Sequence, residues 1–256
     1  MSSNPTYFIT GVSRGLGKGL VASLLQQPST TIIAAVRDPT TKASQALLDL
    51  PKSADSKLII VKLDSANESD AFAAVNTLKT DHGITSVDTV IANAGISHSG
   101  TSISQTTTAA TLDHFSINAI APVTLFQATA DLLKASSTGR PAFIAISSVI
   151  GSIAGMDQMK SFPAAMSPYG ASKAALNWFM RRLHFEEPWL TSFVFHPGLV
   201  TTDMGLAGLE SIGIPPEAVG AISVDESVTN MLKFIESATS ETSGTFRNHD
   251  GSILPW

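Results

Sequence analysis

Tyr169 and Lys173 stand four residues apart at the start of a predicted helix, in the sequence Y-G-A-S-K. Positions i and i+4 share one face of a helix, so the lysine ammonium lies one turn from the phenol. A phenol ordinarily has a pKa of about 10, and a neighbouring cation lowers that pKa. The pair therefore predicts acid–base chemistry, with Tyr169 as general acid toward a carbonyl or general base toward an alcohol.

A serine and an asparagine are candidates to assist this proton transfer. Ser148 follows a predicted strand and would hydrogen-bond a substrate oxygen, with Ser147 as the alternative at the same strand end. Asn118 lies in a long predicted helix, four residues before Pro122. Because proline lacks an N–H, the Asn118 carbonyl loses its helical partner and is free to hold an ordered water. Such a water would link Lys173 to solvent, whereas the alternative is only a kinked helix.

A glycine-rich turn, T-G-V-S-R-G-L-G at residues 10–17, lies between the first predicted strand and the first predicted helix. Its glycine spacing is G-x-x-x-G-x-G rather than the commoner G-x-G-x-x-G. Backbone N–H groups at such a helix start bind a pyrophosphate, while a purely structural turn is the alternative. The residues predicted to hold a cofactor here are Gly11, Ser13, Arg14, Gly15, Leu16 and Gly17.

The end of the second predicted strand carries Arg37 and Asp38. An NAD site has an acidic residue at this place, which binds the ribose 2′-hydroxyl. Arg37 would instead face the 2′-phosphate of NADP, and Arg14 would reach the same phosphate from the glycine turn. We therefore predict NADP(H) as the cofactor. The alternative is that Asp38 binds the ribose and Arg37 is a solvated loop residue.

Seven apolar, β-prone runs alternate with about six helical patterns along the chain. The predicted strands are residues 7–9, 31–36, 58–61, 89–92, 142–146, 192–195 and a short run near 244–247. The predicted helices are the segment after the glycine turn and residues 41–49, 66–80, 108–135, 168–186 and 224–237, with Gly83 just beyond the end of the third. This alternation predicts an α/β fold, a doubly wound (Rossmann) parallel sheet flanked by helices, in a single domain over residues 1–256.

Two stretches without clear periodicity, residues 151–167 and 201–221, follow the carboxyl ends of predicted strands. Open α/β sheets bind ligands at that edge, so both stretches are predicted to face the substrate. Their large apolar residues include Met156, Met159, Phe162, Met204 and Leu206. Such a lining favours a hydrophobic or aromatic small molecule over a sugar or a nucleotide.

The composition excludes several classes of protein. A net charge of −5 without a cationic cluster argues against a nucleic-acid partner. The absence of cysteine excludes disulfides, thiolate zinc sites and a cysteine nucleophile, and the six histidines show no ligand spacing, so no metal is predicted. No apolar run approaches the roughly 20 residues that span a bilayer, and no secretory signal is visible. We therefore expect a soluble, cytoplasmic protein without a membrane partner.

The chain resembles the classical short-chain dehydrogenases/reductases from end to end. The matching positions, in chain order, are residues 10–17, Asp64, Asn93, Ala94, Gly95, Asn118, Ser147, Ser148, Tyr169, Lys173 and residues 197–202. Within the family, the chain is similar to small carbonyl reductases and to fungal ketoreductases of the norsolorinic acid type. The resemblance implies an NADPH-dependent reductase of a ketone or aldehyde, such as a fungal polyketide or another secondary metabolite.

The same resemblance implies a role for each matching residue. The catalytic tetrad would consist of Asn118, Ser148, Tyr169 and Lys173, of which Tyr169 and Lys173 also contact the cofactor. The adenine amino group would be bound by Asp64, and the adenine ribose side would be supported by Asn93, Ala94 and Gly95. The nicotinamide carboxamide and a phosphate would be positioned by Pro197, Gly198, Val200 and Thr202. Met204 and Leu206 would belong to a loop that covers the substrate.

One departure from the family pattern follows Ser148. Ser148 and Tyr169 are 21 residues apart, which is longer than the usual separation in the family. The extra residues fall within residues 151–167 and are predicted to form a wall of the substrate pocket.

The oligomeric state has two possible interpretations. Many relatives are dimers or tetramers, whereas carbonyl reductases with such an insertion include monomers; we predict a homo-oligomer.

The alternative to an oxidoreductase is a cofactor-sensing binding module or a cyclase on the same fold. A binding module would have no need to keep Tyr169 and Lys173 one helical turn apart, so the filled tetrad favours the enzyme.

Overall fold

The computed structural model describes residues 4–98, 100–160 and 166–256. Within these residues, seven parallel strands form one sheet in the order β3-β2-β1-β4-β5-β6-β7. The strands are β1 (Thr6–Thr10), β2 (Thr31–Val36), β3 (Lys57–Lys62), β4 (Thr89–Ala92), β5 (Ala142–Ile146), β6 (Thr191–His196) and β7 (Phe246–Asn248). The predicted doubly wound parallel sheet in a single domain is confirmed.

The central strands are covered by helices on both faces. Every residue of β1 is buried, and successive side chains enter different cores: Phe8 packs on one side of the sheet and Ile9 on the other. In the parallel register, Phe8 pairs with Ile33 of β2 and with Val90 of β4. Burial of both faces explains why these strands are continuous apolar runs in the sequence.

Helices connect the strands and cover the sheet. They are α1 (Gly15–Leu25), α2 (Lys42–Gln45), α3 (Glu68–His82), α4 (Thr108–Phe115), α5 (Ala121–Lys134), α6 (Met156–Met159), α7 (Ser167–Glu186), α8 (Asp203–Glu210) and α9 (Val224–Ser237). At the start of α3, the Asn67 side chain accepts a hydrogen bond from the Ser69 N–H. The helix ends at Gly83, whose φ of 64° is the left-handed conformation predicted for it.

The predicted long helix over residues 108–135 contains a π-helical turn, Ser116–Ile120, between α4 and α5. Pro122, in the first turn of α5, cannot donate a hydrogen bond to the Asn118 carbonyl. The wider π turn accommodates the missing bond at this point, where the helix would otherwise kink. Asn118 lies fully buried inside that turn.

The structure corrects some predicted boundaries. The helix predicted over 41–49 is helical only at α2, after which residues 46–49 form turns, and the last strand is β7 rather than 244–247. The stretch 201–221 contains α8 and a 3₁₀ turn at Pro216–Val219, and 151–167 contains α6. Phe162, predicted to line the pocket, lies outside the described residues. Helices of four to eight residues are too short for a periodic pattern to reveal them.

The loops with the predicted site residues follow the carboxyl ends of the strands. The chain crosses from β3, at one edge of the sheet, back to β4 beside β1. The loops after β1 and β4 therefore flank the crevice at which the strand order reverses, and open α/β sheets bind their ligands in this crevice.

Candidate active site

The glycine turn joins β1 to α1 by a tight path that leaves no room for a side chain at Gly11 or Gly17. Gly11 has a φ of +69°, and a Cβ on it would lie 2.8 Å from the Ala94 Cα. A Cβ on Gly17 would clash with the Gly11 carbonyl oxygen and would lie 2.6 Å from the Asn93 Nδ2. The turn is therefore tight, and the first N–H groups of α1, which have no intrahelical partner, can bind a phosphate.

Asn93 ties the loop after β4 to the glycine turn. Its Nδ2 donates to the carbonyl oxygens of Thr10 and Gly11, at 2.8 and 3.1 Å. The backbone N–H groups of Asn93 and Ala94 both donate to the Thr10 hydroxyl, at 3.1 and 3.0 Å. Asn93 therefore holds the loop after β4 against the glycine turn. Thr10, which the sequence analysis counted in the turn without giving it a role, anchors the backbone of Asn93 and Ala94.

Asp38 and Arg37 are both exposed after β2, but only the aspartate carboxylate is engaged in its own turn. The Asp38 Oδ1 accepts hydrogen bonds from the Thr40 hydroxyl at 2.7 Å and from the Thr40 N–H at 2.8 Å. These two bonds, the hydroxyl's first, hold the pKa of Asp38 below its usual value. The Ser44 hydroxyl also donates to the Asp38 carbonyl oxygen, at 2.7 Å. One oxygen of the carboxylate is therefore engaged within its own turn.

The Arg14 side chain forms an ion pair with a residue that is distant in the sequence. Its Nη1 forms a 3.0 Å ion pair with the Asp203 carboxylate of α8, and both side chains are 74% exposed. An exposed ion pair contributes about 0–1 kcal/mol, so it can open when a phosphate competes for the guanidinium. The pair joins the glycine turn to α8, a link for which the sequence carries no signal.

The loop after β3 carries Asp64 beside a cleft of about 240 Å³. The cleft is lined by residues 63–68 and by residues 71, 116, 120, 121 and 124. The Asp70 carboxylate fixes the loop, because it accepts from the Asp64 N–H at 2.9 Å and from Lys62 Nζ at 3.0 Å. Burial disfavours the charged form of Asp70, but these bonds outweigh it and its pKa is lowered. Asp70 is a residue that our sequence reasoning missed.

The segment after β6 approaches the glycine turn. Gly198 has a φ of +86°, and Val200 forms an isolated parallel bridge with Ile222. Thr202 precedes α8, and its hydroxyl accepts a hydrogen bond from the Gly205 N–H. The Thr202 methyl carbon would lie 3.3 Å from a Cβ on Gly15. The structure thus brings the predicted residues Pro197, Gly198, Val200 and Thr202 to the same edge of the sheet as the glycine turn.

Tyr169 and Lys173 occupy the first turns of α7, as predicted. The Lys173 Nζ lies 5.8 Å from the centre of the Tyr169 ring. The Nζ donates a hydrogen bond to the carbonyl oxygen of Ile146, the last residue of β5, at 2.7 Å. Lys173 is only 4% exposed. The ammonium is thus buried between the start of α7 and the end of β5.

The two serines after β5 have different partners. The Ser147 hydroxyl is buried and donates to the Asn177 Oδ1 at 2.6 Å. Ser148 begins the 3₁₀ turn Val149–Gly151, where its hydroxyl accepts the Ile150 N–H at 3.3 Å. The same hydroxyl is near enough to the Tyr169 phenol to lower the pKa of that phenol. Of the two alternatives, Ser148 is therefore the serine that the structure places beside the tyrosine.

The Asn118 side chain links the loop after β4 to α7. Its Oδ1 accepts the Ile96 N–H at 2.8 Å, and its Nδ2 donates to the Ile96 carbonyl at 2.9 Å and to the Ser172 hydroxyl at 3.0 Å. A Cβ on Gly95 would lie 3.1 Å from the Asn118 Oδ1 and 3.6 Å from the Lys173 Nζ. The structure therefore gathers Gly95, Asn118 and Lys173 into one place.

Burial dominates the electrostatics of the tyrosine and the lysine. Burial raises the pKa of Tyr169, and the smaller effect of the Ser148 hydroxyl lowers it. The phenol pKa is therefore not lowered by the lysine, contrary to the prediction from the helical spacing, because burial dominates. Burial also lowers the pKa of Lys173 from 10.5 to about 8. At neutral pH, the phenol is therefore protonated, as a proton donor must be, and the lysine is still charged.

The pKa of Lys173 predicts a cost in stability. The pKa of Lys173 is lower in the folded protein than in the unfolded chain, so the buried ammonium destabilises the fold at neutral pH. The cost is about 3 kcal/mol at most. It disappears as the pH rises from 8 toward 10.5, because the folded protein then loses the charge. We expect Lys173→Met to raise the free energy of unfolding of the ligand-free protein by about 1–3 kcal/mol at pH 7, with a smaller gain at pH 10. Denaturant unfolding at both pH values checks this, and a variant less stable than the wild type at pH 7 would contradict it.

The histidines of the described chain have no evident role in this site. Burial, and secondarily the nearby His249, lower the pKa of His196 to about 4, so it is neutral near pH 7. Within residues 4–98, 100–160 and 166–256, no group of three or more histidine, aspartate or glutamate side chains is arranged to hold a metal ion.

Comparisons with known proteins agree with this geometry. The sequence model of the family described as short chain dehydrogenase matches residues 5–209. The chain is 42% identical to the norsolorinic acid ketoreductase of Dothistroma septosporum, over 100% of this chain and 94% of that protein. It is 41% identical to the norsolorinic acid ketoreductase of Aspergillus parasiticus, over 98% of this chain and 90% of that protein.

A solved structure extends the likeness to three dimensions. The NADPH-bound carbonyl reductase from chicken fatty liver superposes with a TM-score of 0.85 at 31% sequence identity, and the match covers 99% of each chain. The resemblance inferred from the motifs is confirmed by the sequence and by the fold.

Proposed function

The chain belongs to the short-chain dehydrogenase family, and we propose that it reduces the ketone or aldehyde carbonyl of a hydrophobic small molecule with NADPH. The observation that carries the proposal is the convergence of Asn118, Ser148, Tyr169 and Lys173 beside the glycine turn. Relatives that are named ketoreductases and carbonyl reductases support the direction of the reaction.

The residues fit a nicotinamide dinucleotide. A Cβ at Gly11 or Gly17 would clash with neighbouring protein atoms, so only glycine allows the tight turn that leads into the start of α1. The backbone N–H groups at that helix start are suited to bind a pyrophosphate. Asp64 lies beside the cleft after β3, where the adenine amino group would bind, and Asn93, Ala94 and Gly95 form the loop next to it. The bound cofactor supplies the hydride.

The chain's own residues handle the substrate oxygen and its proton. Ser148 would hydrogen-bond the carbonyl oxygen, and Tyr169 would donate the proton to it as the hydride arrives at carbon. The charged Lys173 favours the phenolate that remains and would hold the nicotinamide ribose. Asn118, through the carbonyl freed by Pro122, would hold the water through which the phenol regains its proton.

The choice of NADPH over NADH rests on the end of β2. The Asp38 carboxylate is already bonded to Thr40, while the Arg37 guanidinium is exposed and free to meet a 2′-phosphate. The NADPH-bound relative supports the same choice. Arg14 would add a second contact if its ion pair with Asp203 opens.

Replacing Arg37 by Ala tests this choice. A charge-assisted hydrogen bond contributes roughly 1.5–3 kcal/mol, so we expect the KM for NADPH to rise by about 10- to 150-fold and the KM for NADH to change little. Arg14 remains to bind part of the phosphate, which favours the lower end of that range. Arg37→Asp should go further, because it repels the phosphate and offers an acceptor to the NADH ribose. Equal effects on both cofactors in steady-state kinetics would remove the main support for NADPH.

The substrate class follows from exposed apolar side chains in the two predicted substrate loops. Ile153 is 68% exposed, Met156 is 57% exposed, and Met204 and Leu206 on α8 are also exposed. Such side chains gain by covering an apolar ligand. Together with the ketoreductase relatives, they support an aromatic polyketide or another hydrophobic secondary metabolite as the substrate.

A panel of aromatic ketones incubated with NADPH tests the reaction class. We expect loss of NADPH absorbance with at least one member and formation of the matching alcohol. Binding of NADPH without consumption across the panel would favour the alternative of a cofactor-sensing binding module.

Throughout the described part of the chain, each helix is too short or too polar to cross a membrane. The homo-oligomer and the cytoplasmic location stay predictions.

A further inference from the structure

The side chain of Asn177 makes hydrogen bonds on both sides of Ser148. The Ser147 hydroxyl donates to its Oδ1 at 2.6 Å, and its Nδ2 donates to the Gly151 carbonyl oxygen at 3.2 Å. A carbonyl oxygen only accepts, so the bond to Gly151 fixes which end of the amide faces Ser147. One side chain of α7 thus holds the residue before Ser148 and the last residue of the 3₁₀ turn that Ser148 begins.

These contacts are shielded from water. Ser147 is 2% exposed, Asn177 is 4% exposed and Gly151 is buried. A buried polar group that loses its partner costs more than an exposed one, because water cannot replace the bond. The amide is therefore held in one orientation.

Asn177 also stands in register with the catalytic residues of α7. It follows Lys173 by four residues and Tyr169 by eight, so all three lie close to one stripe of the helix. The turn packs directly on this stripe, since a Cβ on Gly151 would lie 2.7 Å from the Lys173 Cβ. The 20 residues between Ser148 and Tyr169 are too many for the connecting chain alone to fix their relative position.

We propose that Asn177 is a positioning residue, which holds the Ser148 hydroxyl against the Tyr169 phenol. The proposal rests on the proposed function, because it assigns Ser148 and Tyr169 to the reduction. Without the Asn177 bonds, the turn Val149–Gly151 is free to shift, and the Ser148 hydroxyl at its start moves relative to the Tyr169 phenol.

The first test is kinetic. Asn177→Leu keeps a side chain of similar size and removes both bonds. We expect kcat for ketone reduction to fall by about 10- to 100-fold, the usual scale for a catalytic group displaced by about an ångström, with the Kd for NADPH unchanged. Ser147→Ala removes one of the two bonds and creates little strain, so it should lower kcat by a smaller factor and leave the Kd for NADPH unchanged. This variant also provides the test if Asn177→Leu does not fold.

The second test is spectroscopic and needs no activity. The chain has two tyrosines, Tyr7 and Tyr169, so Tyr7→Phe leaves a single phenol to titrate by its phenolate absorbance. Ser148 lowers the pKa of Tyr169, so adding Asn177→Leu or Ser147→Ala to Tyr7→Phe should raise that pKa. An unchanged pKa in both variants would overturn the proposal, whereas a wild type that binds NADPH but reduces no ketone would count against the proposed function alone.

Met180→Ala is the matched control for a general loss of stability. Met180 is 3% exposed on the same helix, belongs to the hydrophobic core and makes neither of the Asn177 bonds. We expect it to lower the Tm and to leave the pKa of Tyr169 where it is. If Met180→Ala shifts that pKa as much as Asn177→Leu does, Asn177 has only a structural role.

Discussion

Replacing Tyr169 by Phe is expected to lower kcat for carbonyl reduction by about 10²–10⁴-fold, the usual contribution of general acid–base catalysis. The variant loses the phenol hydroxyl and keeps the ring that packs 5.8 Å from the Lys173 Nζ. Because the hydroxyl is the group that donates the proton, the chemical step should suffer while the Kd for NADPH stays nearly constant. Single-turnover reduction of an aromatic ketone, with the Kd measured in parallel, gives both numbers.

Tyr7→Phe is the control for this experiment. Tyr7 is the second tyrosine of the chain, is 7% exposed in β1 and has no place in the proposed site. It should retain wild-type kcat. If Tyr169→Phe also retains most of the activity, another group donates the proton and the assignment of Tyr169 is wrong.

The second large effect is expected at the glycine turn. A methyl group on Gly17 would clash with the Gly11 carbonyl oxygen and approach the Asn93 Nδ2, and these two atoms form a hydrogen bond that shapes the crevice. Forcing an extra carbon into a packed site costs about 1–3 kcal/mol, and the free protein relieves this strain by shifting the turn. Because NADPH binding requires the original path of the turn, the cost returns on binding and weakens the affinity by up to about 150-fold. Calorimetric titration of Gly17→Ala with NADPH measures this loss.

Gly19→Ala is the matched substitution on the same helix. A Cβ on Gly19 would meet the side-chain methyl groups of Val224 and Val228, at 2.9 and 3.0 Å, and no part of the turn. It should therefore lower the Tm and leave the affinity for NADPH unchanged. Equal losses of affinity in the two variants would show that Gly17 matters only for the packing of α1.

The parts of the fold that local sequence determines could be predicted. Strands such as β1 and β5 are apolar on both faces, which parallel sheets require, and this pattern is visible in any short window. Tyr169 and Lys173 are likewise set by a helical spacing of four residues. The proline at 122 predicted the disturbance of the helix at Asn118, although not its form as a π turn.

The contacts between distant segments could not be predicted. The choice between Ser147 and Ser148 depends on Asn177, which is about thirty positions away in sequence and is brought near by the packing of α7 on the sheet. Arg14 pairs with Asp203, 189 residues away, because α8 forms where a loop was expected. Such partners follow from tertiary packing, which hydrophobic periodicity does not encode.

In the proposed reaction, bound NADPH would supply a hydride to a carbonyl carbon whose oxygen takes a proton from Tyr169. The most direct measurement uses NADPH that carries deuterium at both transferable positions of the nicotinamide, together with an aromatic ketone. Mass spectrometry and NMR of the product should show one deuterium on the alcohol carbon, and Tyr169→Phe should form little of this product in the same time. An alcohol that carries no deuterium, or a labelled cofactor that is bound but never consumed, would contradict the account.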